Sequence, residues 1–321
     1  MPGTSLSGPL LVDGVDVKSP RLASPSGLTL WVGAAGLTAT EDLKQRGVYV
    51  YPTLYGTTGA LAALSNRTLS GDVINVLPGH TESVTAADFY SDMGSASGFT
   101  VQGLGTGAMR PTLTYTATTS TFILDTAYVT IRILRFVAGV DSLARFITVS
   151  ANDVTIEDCD FIGASTLEYL NAINITTTYD DTTIRRCRFI QPTDPAGTNA
   201  AANTGAIYLV DSENVLIEDC EFRGCFETAF IHNKTTAAAN LWVRRCYGRG
   251  STNTTDSVPF VLVSTATGGA EFCSFINPNE AATTEATLSG TFGAGFFNFQ
   301  SYFGNDGGGG QLAIASQAAA S

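Results

Sequence analysis

Carboxylates are the side chains with most to offer chemistry in this sequence. Glu157, Asp158, Asp160, Glu218, Asp219 and Glu221 fall in two short related segments, Thr155-Ile-Glu-Asp-Cys-Asp160 and Leu216-Ile-Glu-Asp-Cys-Glu221. Clustered carboxylates are the groups that hydrolyse glycosidic bonds, one as acid and one as base or nucleophile. Such an acid needs a raised pKa, which an apolar pocket or a like-charged neighbour supplies. A carboxylate held between arginines is pushed the other way. What surrounds these acids therefore decides their role, and that depends on the elements that carry them.

Other reactive groups are sparse. His80 lies in Pro78-Gly-His-Thr-Glu82, and His232 ends a short apolar run before Asn233-Lys234. Neither has a second histidine or a cysteine at ligand spacing, so both read as exposed loop histidines, with no metal site. Asp180-Asp181 sits in Tyr179-Asp-Asp-Thr-Thr183 and reads as a turn, since Asp bonds its own backbone there. No nucleophile elbow, phosphate-binding loop or dinucleotide fingerprint is present. The expectation is a chain without catalytic residues, metal or cofactor.

The elements are set by an internal repeat. Val129-Thr-Ile-Arg-Ile-Leu-Arg-Phe136 recurs as Val154–Phe161, Thr182–Phe189, Val215–Phe222 and Leu241–Gly248, with a degenerate end at Phe272–Phe275 and an earlier copy at Phe99–Leu104. Aligned on one position, these copies give a ladder of Leu104, Leu134, Cys159, Cys187, Cys220, Cys246 and Cys273. A second apolar strand follows each copy, as in Phe146-Ile-Thr-Val149 and Ala172-Ile-Asn-Ile175. Short strands at this bounded spacing describe a solenoid. Leucine-rich repeats have a similar period, but their Leu-x-x-Leu-x-Leu pattern is missing. The fold class predicted is all-β: a right-handed single-stranded parallel β-helix, with an extended N-terminal arm and a short cap helix. Ile131, Leu134, Phe136 and their counterparts should point inward. Seven coils then span roughly 29 Å, at about 4.8 Å per coil.

Stacking gives the cysteines and the charges their meaning. One Cys per coil without a CxxC element reads as a column of small buried hydrophobes, neither a zinc site nor disulfides. Cys225 stands outside the column. Reduced thiols, and an opening without a basic or apolar leader region, suit assembly in a reducing cytoplasm. The outward ladder reads Arg132, Glu157, Arg185, Glu218, Arg244, and its neighbour reads Arg135, Asp160, Arg188, Glu221, Tyr247. Charge sign alternates coil by coil, so each acid should lie between arginines. Opposite charges on adjacent strands contribute about 0.2–1 kcal/mol per pair and fix register. The six acids therefore read as structural.

Composition narrows the partners. Basic residues number 17 against 29 acidic, a net charge of −12, and charged residues are only 14% of the chain. That opposes nucleic acid and anionic membrane surfaces as partners. No apolar run is long enough to span a bilayer.

Gly59-Ala-Leu-Ala-Ala-Leu-Ser-Asn66 followed by Gly71-Asp-Val-Ile-Asn-Val-Leu-Pro-Gly79 resembles the start of pectin-lyase-like right-handed β-helices, where a short helix caps the first coil. The resemblance covers about residues 56–300 and specifies no reaction. The Gly-His-Gly and Asn-Thr-Asp segments of polygalacturonases are missing, as are the Trp-Ile-Asp-His and Arg-x-Pro-x-x-Arg segments of pectate lyases. The Met1–Gly14 opening and the text from Val76 to Phe161 are similar to β-helix proteins of bacteriophage virions. That resemblance implies a virion structural protein of the capsid decoration or cement type, assembled in the host cytoplasm as a homotrimer and bound to the major capsid protein. The alternative it leaves open is a tail fibre or tailspike that binds or cleaves host polysaccharide; a bacterial polysaccharide lyase is weaker still.

Three regions are expected: an extended arm over residues 1–50, a capped β-helix over 51–303, and a flexible Gly/Ala-rich tail over 304–321. Leu37–Arg46 reads as a short helix behind Thr40. On the arm, Leu10, Leu11, Val12, Leu28, Leu30 and Trp31 are the candidates for contact with the capsid. Trp242 is expected to point outward.

Overall fold

The computed structural model describes residues 10–12, 15–17, 29–33, 48–56, 59–64, 71–85, 98–164, 167–176, 179–192, 205–226, 228–233, 238–250, 258–262, 266–277 and 295–305. Leu28, the segment Leu37–Arg46 and Lys234 lie outside the described residues.

The chain winds as a right-handed parallel β-helix. Three parallel sheets, of eleven, nine and six strands among the described residues, form its walls and are called here sheets 1, 2 and 3. One coil shows the path. Thr155–Glu157 lies in sheet 1, Asp160–Ile162 in sheet 2 and Tyr169–Ile175 in sheet 3, and Thr183–Arg185 re-enters sheet 1 one coil on. Each strand pairs in register with its counterpart, as in Ile131↔Ile156↔Ile184↔Ile217↔Val243. These side chains are fully buried, as expected from the period-2 alternation.

The corner between sheets 1 and 2 is a two-residue bend whose first residue is left-handed: Ile133, Asp158, Arg186, Asp219, Arg245 and Phe272 all have φ between 50° and 58°. Each then donates its N–H to the next coil, as Asp158 does to the Arg185 carbonyl at 3.0 Å. The corner from sheet 3 back to sheet 1 repeats the device at Tyr128, Asp153, Asp181, Asn214 and Asn240. Asn and Asp tolerate this conformation better than other side chains, which is why the second corner is rich in them.

Inside, Phe136, Phe161, Phe189 and Phe222 stack with ring centroids 5.0 Å apart and planes within 8° of parallel. At the N-terminal end the helix Ala60–Leu64 and buried Leu54 and Tyr55 cover the core. Gly59 is required there, because a Cβ would fall 2.1 Å from the Tyr55 carbonyl oxygen.

Three boundaries differ from expectation. Thr29–Val32 and Val48–Tyr51 are not part of an arm but strands of sheet 1, the first lying between the second and Val73–Val76. Leu30 and Trp31 are buried there, so neither is a free contact for a partner. Surrounding Gly and Pro hid their pattern. Leu10–Val12 pairs antiparallel with Val15–Val17 as a separate hairpin. At the other end Tyr302–Asn305 pairs with Ser274–Asn277, so the solenoid reaches residue 305.

Leu104 is not in the core ladder: it is 37% exposed. Thr112 follows Thr100 by twelve residues, where Arg135 follows the paired Thr130 by five. The extra residues form a short 3₁₀ excursion at Gly107–Met109. Pro111, buried, takes the ladder position instead, its carbonyl accepting from Arg135 N as the Leu134 carbonyl accepts from Asp160 N. A fixed repeat length had placed Leu104 there by counting.

Candidate functional site

The arginine–carboxylate ladder is built by the two-residue bend, which turns three successive outward side chains to one corner. Register runs Arg132↔Glu157↔Arg185↔Glu218↔Arg244, continuing to Glu271, and Arg135↔Asp160↔Arg188↔Glu221↔Tyr247 beside it. The sequence ladder and the structure agree residue for residue.

The pairing is dense. Glu157 meets Arg185 at 2.6 Å, Arg186 at 2.9 Å and Arg132 at 3.7 Å. Asp158 accepts two bonds from Arg186, both at 2.9 Å. Asp160 is 1% exposed and is held by Arg188 at 2.7 Å, Arg110 at 2.9 Å and Arg135 at 3.4 Å. Arg110, from the 3₁₀ excursion, is a partner that sequence spacing did not reveal. Glu218 and Asp219 share Arg245 at 2.9 and 2.7 Å, and Glu221 pairs with Arg223. The hydrogen bond donated by Arg245 holds the Asp219 carboxyl below its ordinary range, and the hydrogen bonds that Arg186 and Arg188 donate to Asp158 and Asp160 hold those guanidinium groups above theirs. Asp219, held in this way, is kept ionised and is unsuited to act as a general acid.

The cysteine column does more than fill space. Cys159 Sγ donates to the Glu157 carbonyl at 3.3 Å, and Cys187, Cys220, Cys246 and Cys273 repeat the bond two residues back at 3.3–3.4 Å. Each of these carbonyls also accepts the bend N–H of the preceding coil, as Glu157 does from Ile133 at 3.2 Å; Leu134, at the same ladder position, has no side-chain donor. None of the six cysteines is in a disulfide, and all six are buried. Burial pushes the Cys159 and Cys187 thiols well up from their ordinary range.

Both histidines are buried, contrary to the loop reading: His80 is 5% exposed and His232 1%. His80 Nε2 lies 3.1 Å from Glu82, whose two carboxylate oxygens accept from Leu54 N at 2.7 Å and Tyr55 N at 2.9 Å. The pair fastens the cap segment to the first full coil. His232 Nε2 lies 2.8 Å from Asn171 Oδ1, and its ring stacks on Tyr208 at 4.6 Å. It ends a polar row on sheet 3, Thr148↔Asn174↔Tyr208↔His232, which no local motif announced. Asp180 and Asp181 lie at the corner from sheet 3 back to sheet 1, where Asp181 is left-handed at φ 59°; the Asp180 carboxylate accepts from Glu213 N of the next coil at 2.9 Å and not from its own backbone as expected.

Sheet 1 carries an exposed aromatic patch. Trp242, Gly269 and Phe297 occupy one row, and Arg244, Glu271 and Phe299 the next outward row. Phe297 is 47% exposed, Phe299 53% and Phe272 54%. Phe272 and Phe299 meet edge-to-face at 5.5 Å. Trp242 faces outward as expected; its Nε1 donates to Asn240 Oδ1 at 2.7 Å, and Arg244 lies 5.0 Å from its ring centroid.

No family model and no curated protein matches the sequence. Among solved structures, a pectin methylesterase from carrot is similar with a TM-score of 0.45 at 12% identity, covering 89% of this chain and 84% of that one. A rhamnogalacturonan lyase gives 0.43 at 12% identity, covering 78% and 74%. Geobacillus virus E2 ORF18 gives 0.35 at 14% identity, covering 78% of this chain and 55% of that one. At these identities nothing of their chemistry transfers to this chain.

Proposed function

We propose that this chain is a non-catalytic structural rod of a bacteriophage virion, a capsid decoration protein held to the major capsid protein by its N-terminal residues. The observation that carries the non-catalytic reading is the ladder: each of the six carboxylates with the spacing for acid–base work is paired to arginine, five of them to an arginine of the next coil and Glu221 to Arg223 of its own strand. The virion assignment rests on the resemblance of the sequence, and assembly in the host cytoplasm goes with it. Burial of Leu30 and Trp31 narrows the anchor to the residues before Thr29, which include Leu10, Leu11, Val12 and Leu28.

The test is the copy number of this chain in purified virions relative to the major capsid protein, with full-length protein and a variant lacking residues 1–28 compared for binding to capsids. Hundreds of copies, and loss of binding on truncation, support the reading. A handful of copies moves the chain to the tail, where polysaccharide binding becomes the competing function. Undiminished binding by the truncated chain overturns the anchor.

A further inference from the structure

One strand breaks the winding order of the solenoid. Along sheet 1 the register carries Val48 to Thr29, Thr29 to Val73, Val73 to Thr100 and Thr100 to Thr130. In sequence, Val48 to Val73 is 25 residues, Val73 to Thr100 is 27 and Thr130 to Thr155 is 25, each the length of one coil. Val48–Tyr51 and Val73–Val76 are thus consecutive coils, yet they lie two strand spacings apart, about 9.6 Å. Thr29–Val32, which precedes the first of these coils in the chain, fills the space between them and pairs parallel with both. Sheets 2 and 3 begin at Thr81–Val84 and Phe122–Leu124, and neither receives an inserted strand among the described residues.

The inserted strand is held on one wall alone. Leu30 is in register with Ile74 and Val32 with Val76, and all four are fully buried. At the end of the strand Gly33 N donates to the Tyr51 carbonyl at 3.1 Å, and the Val32 carbonyl accepts from Leu77 N at 2.9 Å. Trp31 is 8% exposed, and its indole N–H has no hydrogen-bond partner among the described residues. The hold is therefore main-chain pairing on two edges plus two inward apolar side chains. Main-chain pairing reads no sequence, and alternate side chains supply the selectivity. An extended segment with apolar side chains two residues apart meets both requirements. The continuous winding from Val48 to Val73 does not pass through the inserted strand, so its release leaves the path of the coils intact. Release would add residues 29–47 to the N-terminal segment, about 60 Å of chain when extended.

We propose that the space between Val48–Tyr51 and Val73–Val76 is a strand-binding site, that Thr29–Val32 is its releasable occupant, and that an extended peptide with apolar residues at the Leu30 and Val32 positions can take its place. This inference does not depend on what the residues before Thr29 hold.

The experiment compares the full-length chain with its Leu30→Asp/Val32→Asp variant, in which two carboxylates should expel the strand from the slot. Both carry Trp242→Phe, which leaves Trp31 as the single tryptophan. The variant should keep its circular dichroism and a cooperative melt, while its Trp31 emission shifts to the red. Loss of the cooperative melt means that the strand is integral to the fold and overturns the proposal, as does unshifted emission. The probe is a dye-labelled synthetic peptide of residues 25–34, followed by anisotropy. It should bind the variant saturably, one per chain. It should bind the wild type at least about tenfold more weakly, because an occupant tethered in the same chain competes at high effective concentration. The same peptide carrying both aspartates should not bind. Equal binding to the two proteins, or none to the folded variant, overturns the proposal. Hydrogen exchange of the wild type tests release without the strand substitutions: the amides of Leu30–Gly33 should exchange well before those of Thr155–Glu157, and coincident exchange would show a single cooperative unit.

Discussion

Phe230 fills the slot that Gly248 leaves open. The column Phe136–Phe161–Phe189–Phe222 should continue at position 248, which pairs between Phe222 and Phe275. It is glycine, and Phe230 enters from sheet 3 instead, 5.5 Å from Phe222 and 5.7 Å from Phe275, nearly parallel to both. A Cβ on Gly248 would lie 2.7 Å from the Phe230 ring and 2.4 Å from that of Phe275. The two positions therefore form one unit in different sheets.

Gly248→Ala is expected to destabilise by about 1–3 kcal/mol through overpacking. Phe230→Ala should cost about 3–5 kcal/mol through the cavity it leaves. Gly248→Phe combined with Phe230→Ala returns a ring to the column and should recover part of that loss. Denaturant melts of the three variants measure this; strict additivity in the pair would mean that the two sites do not share one space.

Asp160 and Asp219 sit in the same ladder system but should respond differently to removal of charge. Asp160→Asn leaves three arginines around a buried neutral group and should cost about 3 kcal/mol near neutral pH. Asp219 is more exposed, so Asp219→Asn should cost well under 1 kcal/mol there. Its folded pKa lies below the unfolded value of about 3.9. Its contribution is therefore fully present above pH ~4 and is lost as pH falls through the folded pKa. The melting temperatures of wild type and Asp219→Asn should converge as pH drops from 5 towards ~2. A gap that widens with acidity would contradict the pairing with Arg245.

Ile133 is a β-branched residue at φ 58°, in a column where the next coil has Asp158. That conformation costs an L-residue about 1 kcal/mol, and more with branching at Cβ. Ile133→Asn or Ile133→Gly should raise stability by up to about 1 kcal/mol, measured by thermal melting, whereas Asp158→Ile should lower it.

The thiols should be silent in the native protein. With all six buried, and Cys159 and Cys187 made harder to ionise by burial, a thiol-reactive dye at pH 8 should label none quickly and all six in denaturant. Cys187→Ser keeps a donor for the Arg185 carbonyl, and Cys187→Ala does not. If the Sγ bond at 3.4 Å matters, serine should recover part of the stability lost with alanine, against its own cost of burial.

Much of this was legible in the sequence because a parallel solenoid turns sequence period into spatial register. Once Val129–Phe136 and its copies are aligned, Arg132, Glu157 and Arg185 must be neighbours, and Ile131, Cys159 and Phe136 must face inward. Local alternation and fixed bends leave no freedom in the matter. What failed were features that depart from the period. Leu104 was assigned by count, while a longer excursion passed its position to Pro111. Leu30 and Trp31 looked like part of an arm, because one isolated strand has no neighbour in sequence to reveal its pairing.

The sequence by itself determined the sheets, the register and the charge order of the ladder, since each follows from residues one coil apart. Only the tertiary structure decided the contacts that the one-coil period does not give: Phe230 from sheet 3 into the space of Gly248, Arg110 onto Asp160 two coils away, Glu82 onto the backbone of Leu54 and Tyr55, and His232 against Asn171 two coils away. Those relationships skip a coil or cross from one wall to another, and the lengths and paths of the loops that allow them are set by packing and not by any local pattern in the chain.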